Sequence, residues 1–542
     1  MDFIRKHEKT IKTLVGIAVF ALGLLAVIFY IFKRCRSEFN ADFTDTILWA
    51  NASVTSGHFY DPDYWYAYFL PFSGIPLMIP IVAMFGMTYF SHQLGMTLFV
   101  IIFAIALLLF FRACDCSREW IFALAGLVLI FMCASQITRM IFYGHIIHYS
   151  LAIVFMCFAY ALLRRSSLWD ASLQKGRTYT VIITVFCALC ATNGVATCLL
   201  FFVPFAGSIV LERYLDKRPI SYEGDRNLIH DMLIVAAGGV IGIMIKMLFF
   251  ASSEYENSIT ALLPSDGWVW KQSPFLLEWI KVLTDSSEGD VLMQTFPGIR
   301  ILCMYTLALI ILIVPVFALF SYKKIQNRML RLVILFHFIM FGTTLLSYSV
   351  SYALVSNWRL AGLVCSALIV TLLFILEMLK TKQHVRWYVL LVPALALFAV
   401  ICLLTVKKLP SAVNANTTDQ LIEIYRENGL TRGYATSFWN STNAANVLSD
   451  GEITVAPITL NTDGSYEVRH YQSEPSEYTD DPAVDRYFVV VDGEDMEYAA
   501  DTLGSNRVDE IKFQDDLYIW IFDRNIFKDF EPVFGPKDAG ED

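Results

Sequence analysis

The stretch DFTDTILWANASVTSGHFYDPDYWYAYFLPFSGIPL, residues 42–77, separates the first long apolar run of the chain from the second. It lies within a segment of mixed polarity, residues 33–91, that is too interrupted by charge, proline and glycine to continue either run. Loops between helical segments are usually short, and long ones are usually functional. We therefore expect two separate spans joined by a functional loop.

The composition on either side of this loop is that of a membrane protein. The chain has 542 residues, of which 56% are hydrophobic and 17% charged, and its mean hydropathy is +0.54. These values exclude an ordinary soluble globular protein. A helix needs about 20 apolar residues to cross a bilayer. Eleven apolar runs predict an all-α polytopic protein with about 11 transmembrane helices: 13–32, 92–111, 120–134, 145–163, 179–192, 195–211, 232–250, 301–320, 332–352, 360–379 and 387–405.

The distribution of lysine and arginine predicts the orientation. With the N-terminus inside, the short inner segments carry 21 basic residues and the outer segments carry 6. Basic residues in short loops favour the cytoplasmic side. The first run follows the basic stretch RKHEKTIK and precedes no cleavage pattern, so we expect it to remain as an anchor. An odd number of spans then places the C-terminal region outside.

The C-terminal region, residues 409–542, differs in kind from residues 1–408. It holds 27 acidic and 9 basic residues. Candidate strands alternate with short helical candidates, which predicts a small extracytoplasmic α/β domain. All eleven cysteines precede it, so no disulfide framework supports it, and we place the protein in a bacterial plasma membrane. The candidate strands are 433–439, 452–460, 485–493 and 515–524, and the candidate helices are 443–450 and 496–503.

Local signals divide the loop into two helices and an aromatic segment. Residues 46–55 are predicted as a helix that follows Asp42 and Asp45 and ends at Gly57. Residues 71–86 are predicted as a half-buried helix at the membrane surface. Between them, five aromatic residues resemble an interfacial belt: Tyr60, Tyr64, Trp65, Tyr66 and Tyr68. The two aspartates either cap a helix and complement its dipole or form a functional carboxylate site where lipid headgroups meet water.

The loop resembles the first outer loop of the GT-C superfamily of polyprenyl-phosphate-sugar-dependent glycosyltransferases, in particular the protein-mannosyltransferase-like and aminoarabinose-transferase-like branches. The shared layout is an Asp, an aromatic residue four positions later, small residues, a Gly, and a proline-containing amphipathic helix that ends near Gly. Thr46 stands where the family usually has a second acidic residue, and the paired prolines before the helix are missing. The residues that carry the layout are Asp45, Trp49, Ala50, Gly57, Pro71, Pro76 and Gly86.

The resemblance implies a GT-C-type fold and transfer of a sugar from a polyprenyl-phosphate donor to an extracytoplasmic acceptor in the cell envelope. It implies that an Asp of this loop is the general base, with Asp45 as the first choice and Asp42 as the second. No cofactor is needed for this reaction, and a divalent cation is possible but not favoured. The expected partners are the donor, the acceptor and membrane lipid, and not nucleic acid.

Cationic and aromatic residues at the outer ends of spans are candidates for substrate binding. Arg359, Lys246 and Arg139 could hold the phosphate, although Arg359 and Lys246 could equally be interfacial residues that snorkel to the surface. His145 and His148 lie three apart and are expected to share a helical face, where they could contact a sugar. Without a third ligand nearby, we expect no metal site. The loop adds three aromatic candidates: Trp49, Tyr64 and Trp65.

Two functions of other classes remain open. A multi-span transporter would show helices broken by Gly or Pro in matching halves, and this sequence shows no such symmetry. A non-enzymatic envelope scaffold or sensor would use the acidic outer domain to bind a partner, and nothing in the sequence excludes it.

Overall fold

The computed structural model describes residues 2–216, 226–250, 253, 256–257, 261–285, 291–381, 385–411, 416–437, 441–514 and 516–535. The protein is a helical polytopic chain that ends in a small sheet-containing unit. Its helices are Asp2–Lys33, Asp45–Ser56, Ile75–Phe85, Tyr89–Ala113, Arg118–Phe131, Gln136–Arg139, His148–Leu163, Gly176–Ala191, Val195–Thr197, Val203–Leu215, Arg226–Phe249, Phe275–Thr284, Phe296–Phe320, Arg328–Val350, Asn357–Lys380, Val385–Lys408, Thr417–Glu427, Asn443–Leu448 and Met496–Ala499.

Eight helices among the described residues are long and apolar enough to cross a membrane. Three of the eleven predicted runs form shorter helices: Arg118–Phe131 has 14 residues, while His148–Leu163 and Gly176–Ala191 have 16 each. The first of these bends by 118° into Gln136–Gly144, and the bent pair could count as a ninth span. The bend lies at the break between Phe131 and Gln136, which ends with Ser135, and the Ser135 side chain caps the second helix of the pair. The predicted count of eleven is therefore not confirmed.

The bundle is closed by small residues and by one deeply buried helix. The first helix packs so closely on Arg118–Phe131 that a Cβ atom at Gly16 would lie 2.3 Å from the Glu119 carbonyl oxygen. Asn357–Lys380 is the most buried of the eight long helices. Its first turn carries Arg359, so this predicted residue sits at one end of the bundle core.

Segments that the charge pattern predicts to be outer meet at one end of the bundle. The Asn193 side chain exchanges two hydrogen bonds of 2.9 Å with the backbone of Phe72. The Asp285 carboxylate accepts from the Gln136 backbone at 2.8 Å and pairs with Arg300 at 3.0 Å. These contacts tie together four connections that are far apart in sequence.

Segments that are predicted to be inner meet at the other end. The Glu212 carboxylate accepts from Arg328 at 3.0 Å and from Arg331 at 3.3 Å. The Asn327 side chain donates to the Cys114 carbonyl oxygen at 2.8 Å. These contacts join three of the predicted inner segments, 112–119, 212–231 and 321–331, to one another.

The C-terminal unit is a six-stranded mixed sheet in the order β3-β2-β1-β4-β6-β5. Its central strand β1 runs parallel to β2 and β4, and the outer strands are antiparallel to their neighbours. The strands are β1 Arg432–Ala435, β2 Thr454–Leu460, β3 Tyr466–Val468, β4 Tyr487–Asp492, β5 Asp509–Phe513, β6 Leu517–Phe522, and a separate pair, β7 Phe527–Lys528 and β8 Glu531–Pro532.

All four predicted strands and both predicted helices of this unit are present, with ends shifted by a few residues. Part of the first predicted strand, residues 438–439, and the first residue of the last, 515, lie outside the described residues. The strands β3 and β5 escape prediction because they are edge strands with exposed polar positions. The acidic tail is therefore an α/β unit, as predicted.

The sheet unit docks on the first loop of the bundle. Arg36 makes a bidentate ion pair with the buried Asp419, with Nη2 2.6 Å from Oδ1. The backbones of Trp65 and Ser473 form an isolated antiparallel bridge, and the Trp65 ring lies 4.2 Å from the ring of His470. The predicted outer loop thus joins the two parts of the molecule.

Candidate functional site

Asp45 is a buried carboxylate at the start of the loop helix Asp45–Ser56. The residue as a whole is only 5% exposed. Oδ2 lies 2.8 Å from His145 Nε2 and accepts from the Tyr68 hydroxyl at 2.9 Å. Oδ1 accepts from Gln472 Nε2 at 2.5 Å. Three segments that are distant in sequence therefore converge on one carboxylate, and we call Asp45, Tyr68, His145 and Gln472 the Asp45 cluster.

This geometry differs from that of a helix cap. The N-cap position belongs to Thr44, and no side chain there makes a capping hydrogen bond. The Asp45 carboxylate turns away from its own helix toward the partners just named. Gly57 ends the helix as predicted, with a left-handed φ of +73° that favours glycine. Capping therefore does not account for Asp45.

The backbone before His145 brings this residue to the carboxylate. A π-helical segment, Met140–Gly144, precedes it, and His145 itself is extended. Gly144 lies against the ring of Phe43, where an added Cβ would be 2.1 Å from a ring carbon. The expectation that His145 and His148 share a helical face is wrong, because the helix begins only at His148.

Tyr68 connects the Asp45 cluster to the residues around it. Its ring lies 5.3 Å from the ring of His148, whose Nδ1 is 3.2 Å from the Thr197 hydroxyl. Burial and the nearby Asp45 carboxylate raise the pKa of Tyr68 well above its usual value, and Asp42 contributes in the same direction. The phenol therefore stays protonated, and its hydroxyl donates a hydrogen bond to Asp45 Oδ2. The sequence assigns Tyr68 only to an aromatic belt.

Gln472 comes from the sheet unit and is the partner that the sequence gives least reason to expect. It is 1% exposed and has a left-handed φ of +52°. Its Oε1 accepts from Trp49 Nε1 at 2.8 Å while its Nε2 donates to Asp45. Its backbone amide donates to the Trp65 carbonyl oxygen at 2.6 Å. One residue thus satisfies two buried groups of the loop helix.

A cavity of about 510 Å³ adjoins the cluster at the predicted outer end of the bundle. Tyr68 and His148 form part of its wall, and Arg359 and Glu256 form another part. Most of the remaining lining is apolar, and about half of it comes from residues 195–200 and from the helix Arg328–Val350. Cavities of this size that combine apolar walls with a few polar groups are typical of ligand sites. Tyr68 belongs both to the Asp45 cluster and to this cavity.

Arg359 and Lys246 both lie beside this cavity. The Arg359 guanidinium lies over the Trp358 ring at 4.6 Å, and its Nη1 donates to the Leu354 carbonyl oxygen at 2.8 Å. Lys246 Nζ donates to the Phe69 carbonyl oxygen at 3.0 Å and lies 3.5 Å from the Glu256 carboxylate, which is on the cavity wall. The structure therefore brings these two cations and His148 to one region.

The other predicted residues lie elsewhere. Arg139 is held by Glu38 in a bidentate ion pair, with Nε 2.9 Å from Oε2, and its Nη1 donates to the Cys133 carbonyl oxygen. It is not part of the cavity wall. Asp42 is half-buried in the turn before the loop helix, where its backbone N–H donates to Asn40. Glu38 lies in the first outer loop, residues 33–91. This acidic residue is the sequence signal that could have identified a structural partner for Arg139.

The aromatic candidates have separate positions. Trp49 is fully buried and contacts the cluster through Gln472. Tyr64 lines a second, polar cleft between the loop and the sheet unit. Trp65 packs on His470 at the junction with that unit. Among the residues that the structure describes, no group of three or more His, Cys, Asp or Glu side chains could hold a metal ion.

No known protein family, curated protein or solved structure matches this chain. The chemistry of the Asp45 cluster and the adjoining cavity therefore rests on this chain's own residues.

Proposed function

We propose that the protein is a membrane glycosyltransferase of the GT-C type that moves a sugar from a polyprenyl-phosphate donor to an extracytoplasmic acceptor. The observation that carries the proposal is a buried carboxylate, Asp45, joined by Tyr68 to a cavity whose wall also holds Arg359. A base, a relay and a cation at one end of an apolar cavity are what sugar transfer from a lipid phosphate needs.

The proposed reaction is a single displacement. An acceptor hydroxyl attacks the anomeric carbon, a new C–O bond forms, and the bond from that carbon to the phosphate oxygen breaks. The acceptor proton passes to the Tyr68 oxygen as the Tyr68 proton moves to Asp45 Oδ2, 2.9 Å away. His145 and Gln472 hold the carboxylate in place during the transfer. The leaving group is polyprenyl phosphate, and no cofactor takes part.

The donor would lie in the cavity with its chain along the apolar wall. Arg359 is the strongest candidate for the leaving phosphate, because arginine forms bidentate, charge-assisted hydrogen bonds with phosphate oxygens. Lys246 is the second candidate. Its Glu256 neighbour, 3.5 Å away, would have to share it with the phosphate. Holding donor and acceptor together supplies the proximity that makes the displacement effectively unimolecular.

The proposed location is a bacterial plasma membrane, with the N-terminus cytoplasmic and the sheet unit outside. About eleven crossings fit this arrangement if the bent pair crosses once and the two shorter helices His148–Leu163 and Gly176–Ala191 cross as well as the eight long helices. Supporting it, contacts between the predicted outer segments gather at the end of the bundle that carries Asp45. Residues 1–408 would be the catalytic membrane domain and residues 409–542 the outer domain.

The transporter and the scaffold are the alternatives that the following experiment distinguishes. The purified chain in nanodiscs receives radiolabelled polyprenyl-phosphate sugars and envelope acceptors, and transfer is measured for the native protein and for Asp45→Asn, Asp42→Asn and Tyr68→Phe. We expect Asp45→Asn to lose at least about 100-fold in rate, as for removal of a general base. Asp42→Asn is the control and should keep most activity, because Asp42 lies in the turn before the loop helix and outside the Asp45 cluster.

Transfer that survives Asp45→Asn would overturn the assignment of the base. No transfer by the native protein with any of several sugars, together with solute flux in proteoliposomes, would favour the transporter. No transfer and no flux would favour the scaffold.

A further inference from the structure

A second cleft, of about 300 Å³, separates the loop helix from the sheet unit. Leu48 and Asn51 form its wall on the side of the loop helix, and Tyr64 belongs to the aromatic segment that follows. Arg432 of β1 and Glu477, from the turn before β4, line the opposite side. The cleft is thus a different space from the cavity beside Arg359, and polar groups make up much of its lining.

Two polar groups of this cleft have no hydrogen-bond partner among the described residues. Tyr64 is 7% exposed, and its hydroxyl is buried without a partner. Arg432 uses Nη1 on Asp481 at 3.1 Å and Nη2 on the Ser476 carbonyl oxygen, but its Nε is buried without a partner. Buried polar groups without partners are rare because such a group loses its hydrogen bonds to water and gains none in return. Such groups beside a cleft point to a ligand that completes them.

The carboxyl groups of Glu474 and Glu477 add acceptors to the same cleft. Burial, and then the neighbouring Glu474 charge, raises the pKa of Glu477 to about 8, against the opposing effect of Arg432. Burial, Glu477 and Asp45 raise the pKa of Tyr64 well above its usual value. Near neutral pH the cleft therefore presents hydroxyl and guanidinium donors beside carboxyl oxygens, with opposite charges close together.

We propose that this cleft binds a neutral carbohydrate unit. An anionic ligand would meet two carboxyl groups, and a cationic ligand would meet Arg432, whereas neighbouring sugar hydroxyls can donate to carboxyl oxygens and accept from Tyr64 and Arg432 at once. The volume lies at the lower end of the range for small-molecule sites, which suits one or two sugar rings.

The position suggests what this carbohydrate is. One wall of the cleft belongs to the helix that begins at Asp45, so a glycan held there lies against the element that carries the proposed base. We therefore identify the ligand as part of the acceptor, and this identification rests on the proposed function. The existence of a carbohydrate site does not rest on the proposed function.

The test is a binding measurement that needs no sugar transfer. The full chain in nanodiscs is titrated with neutral methyl glycosides of glucose, galactose, mannose and N-acetylglucosamine, and binding is followed by saturation-transfer NMR. Tyr64→Phe removes only the unpaired hydroxyl and should weaken binding about 3- to 10-fold. Tyr498→Phe is the matched control, because Tyr498 is an exposed tyrosine of the sheet unit that does not line the cleft.

Specific binding that Tyr64→Phe weakens and Tyr498→Phe leaves unchanged would support the site. No saturable binding of any of the four glycosides at millimolar concentration, or equal binding by native protein and Tyr64→Phe, would overturn it. Asp45→Asn separates the two proposals, because it should abolish transfer while saturable glycoside binding stays measurable. Binding without transfer in the native protein would refute the enzyme but not the carbohydrate site.

Discussion

Replacing Gln472 by methionine tests whether the sheet unit holds the proposed base in position. Methionine matches the length of glutamine but supplies neither the donor to Asp45 nor the acceptor for Trp49 Nε1. A hydrogen bond to a charged group is worth about 1.5–3 kcal/mol, and a buried donor left unpaired costs about 1–3 kcal/mol. The two contributions add to about 2.5–6 kcal/mol, so the change should weaken the contact between loop helix and sheet unit by at least about 2 kcal/mol.

Hydrogen exchange measures that loss where it occurs. The Gln472 amide donates to the Trp65 carbonyl oxygen, and the Trp65 amide donates to the Ser473 carbonyl oxygen, so both should be protected when the sheet unit is docked. A loss of 2 kcal/mol corresponds to about 30-fold faster exchange of these amides. Gln514→Met is the matched control, because Gln514 also has a left-handed φ, +59°, but is exposed.

The variant Gln472→Glu distinguishes positioning from simple stability. A glutamate there would place a second carboxylate about 2.5 Å from Asp45 Oδ1. Two carboxyl groups so close share a proton, which raises the apparent pKa of the pair. The rising limb of the pH–rate profile for transfer should then move upward by at least about one pH unit, a shift that general destabilisation does not produce. Unchanged amide exchange in Gln472→Met, or an unshifted profile in Gln472→Glu, would refute this role for Gln472.

Three further predictions follow from individual contacts. Arg359→Gln should raise the KM for the polyprenyl donor about 10- to 100-fold, because it removes charge-assisted hydrogen bonds to phosphate. Arg139→Gln should instead lower the thermal stability by breaking a buried ion pair and leave KM unchanged. Equal effects of the two variants on KM would contradict the different roles of the two arginines. The pKa of Glu477 is raised to about 8, so between pH of about 5 and about 8 the folded protein retains a proton that the unfolded chain has lost. The stability of the folded protein should therefore fall as pH rises through this range. The melting temperature of Glu477→Gln should lack this fall. Gly144→Ala should cost about 1–3 kcal/mol, because the new methyl group would overlap the Phe43 ring; an unchanged melting temperature would contradict this packing.

The apolar pattern predicts most of the helical fold because long runs of hydrophobic residues leave few alternatives. It does not separate a crossing helix from a buried, bent one. The run 120–134 shows this limit, since its helix ends at Phe131 and the chain bends by 118° before the next helix begins at Gln136. The sheet unit is predicted from its buried strands, whereas its two edge strands, the short pair β7 and β8 and the helix Thr417–Glu427 are missed.

The candidate site is predicted only in part, and the reason is distance along the chain. Asp45 is identified from local layout, and His145 and Arg359 from their positions at span ends. Gln472 lies 427 residues from Asp45 and belongs to no motif, so only the docked structure relates the two. The contact between Tyr68 and Asp45 is not predicted for a different reason. Tyrosine is common at membrane interfaces, so its presence there gives no reason to expect a polar partner.

The placement of Gln472 has a consequence for how the two parts of the molecule work together. Any motion that lifts the sheet unit from the loop removes a hydrogen bond from Asp45 and an acceptor from Trp49, and it also opens the polar cleft beside Tyr64. The free energies of three changes are thus coupled: docking of the sheet unit, completion of the Asp45 cluster and formation of the cleft. A ligand that bridges the cleft must bind the docked form more tightly, and by linkage it must then favour the fully hydrogen-bonded Asp45. If the ligand is the acceptor, its arrival would itself complete the geometry of the base.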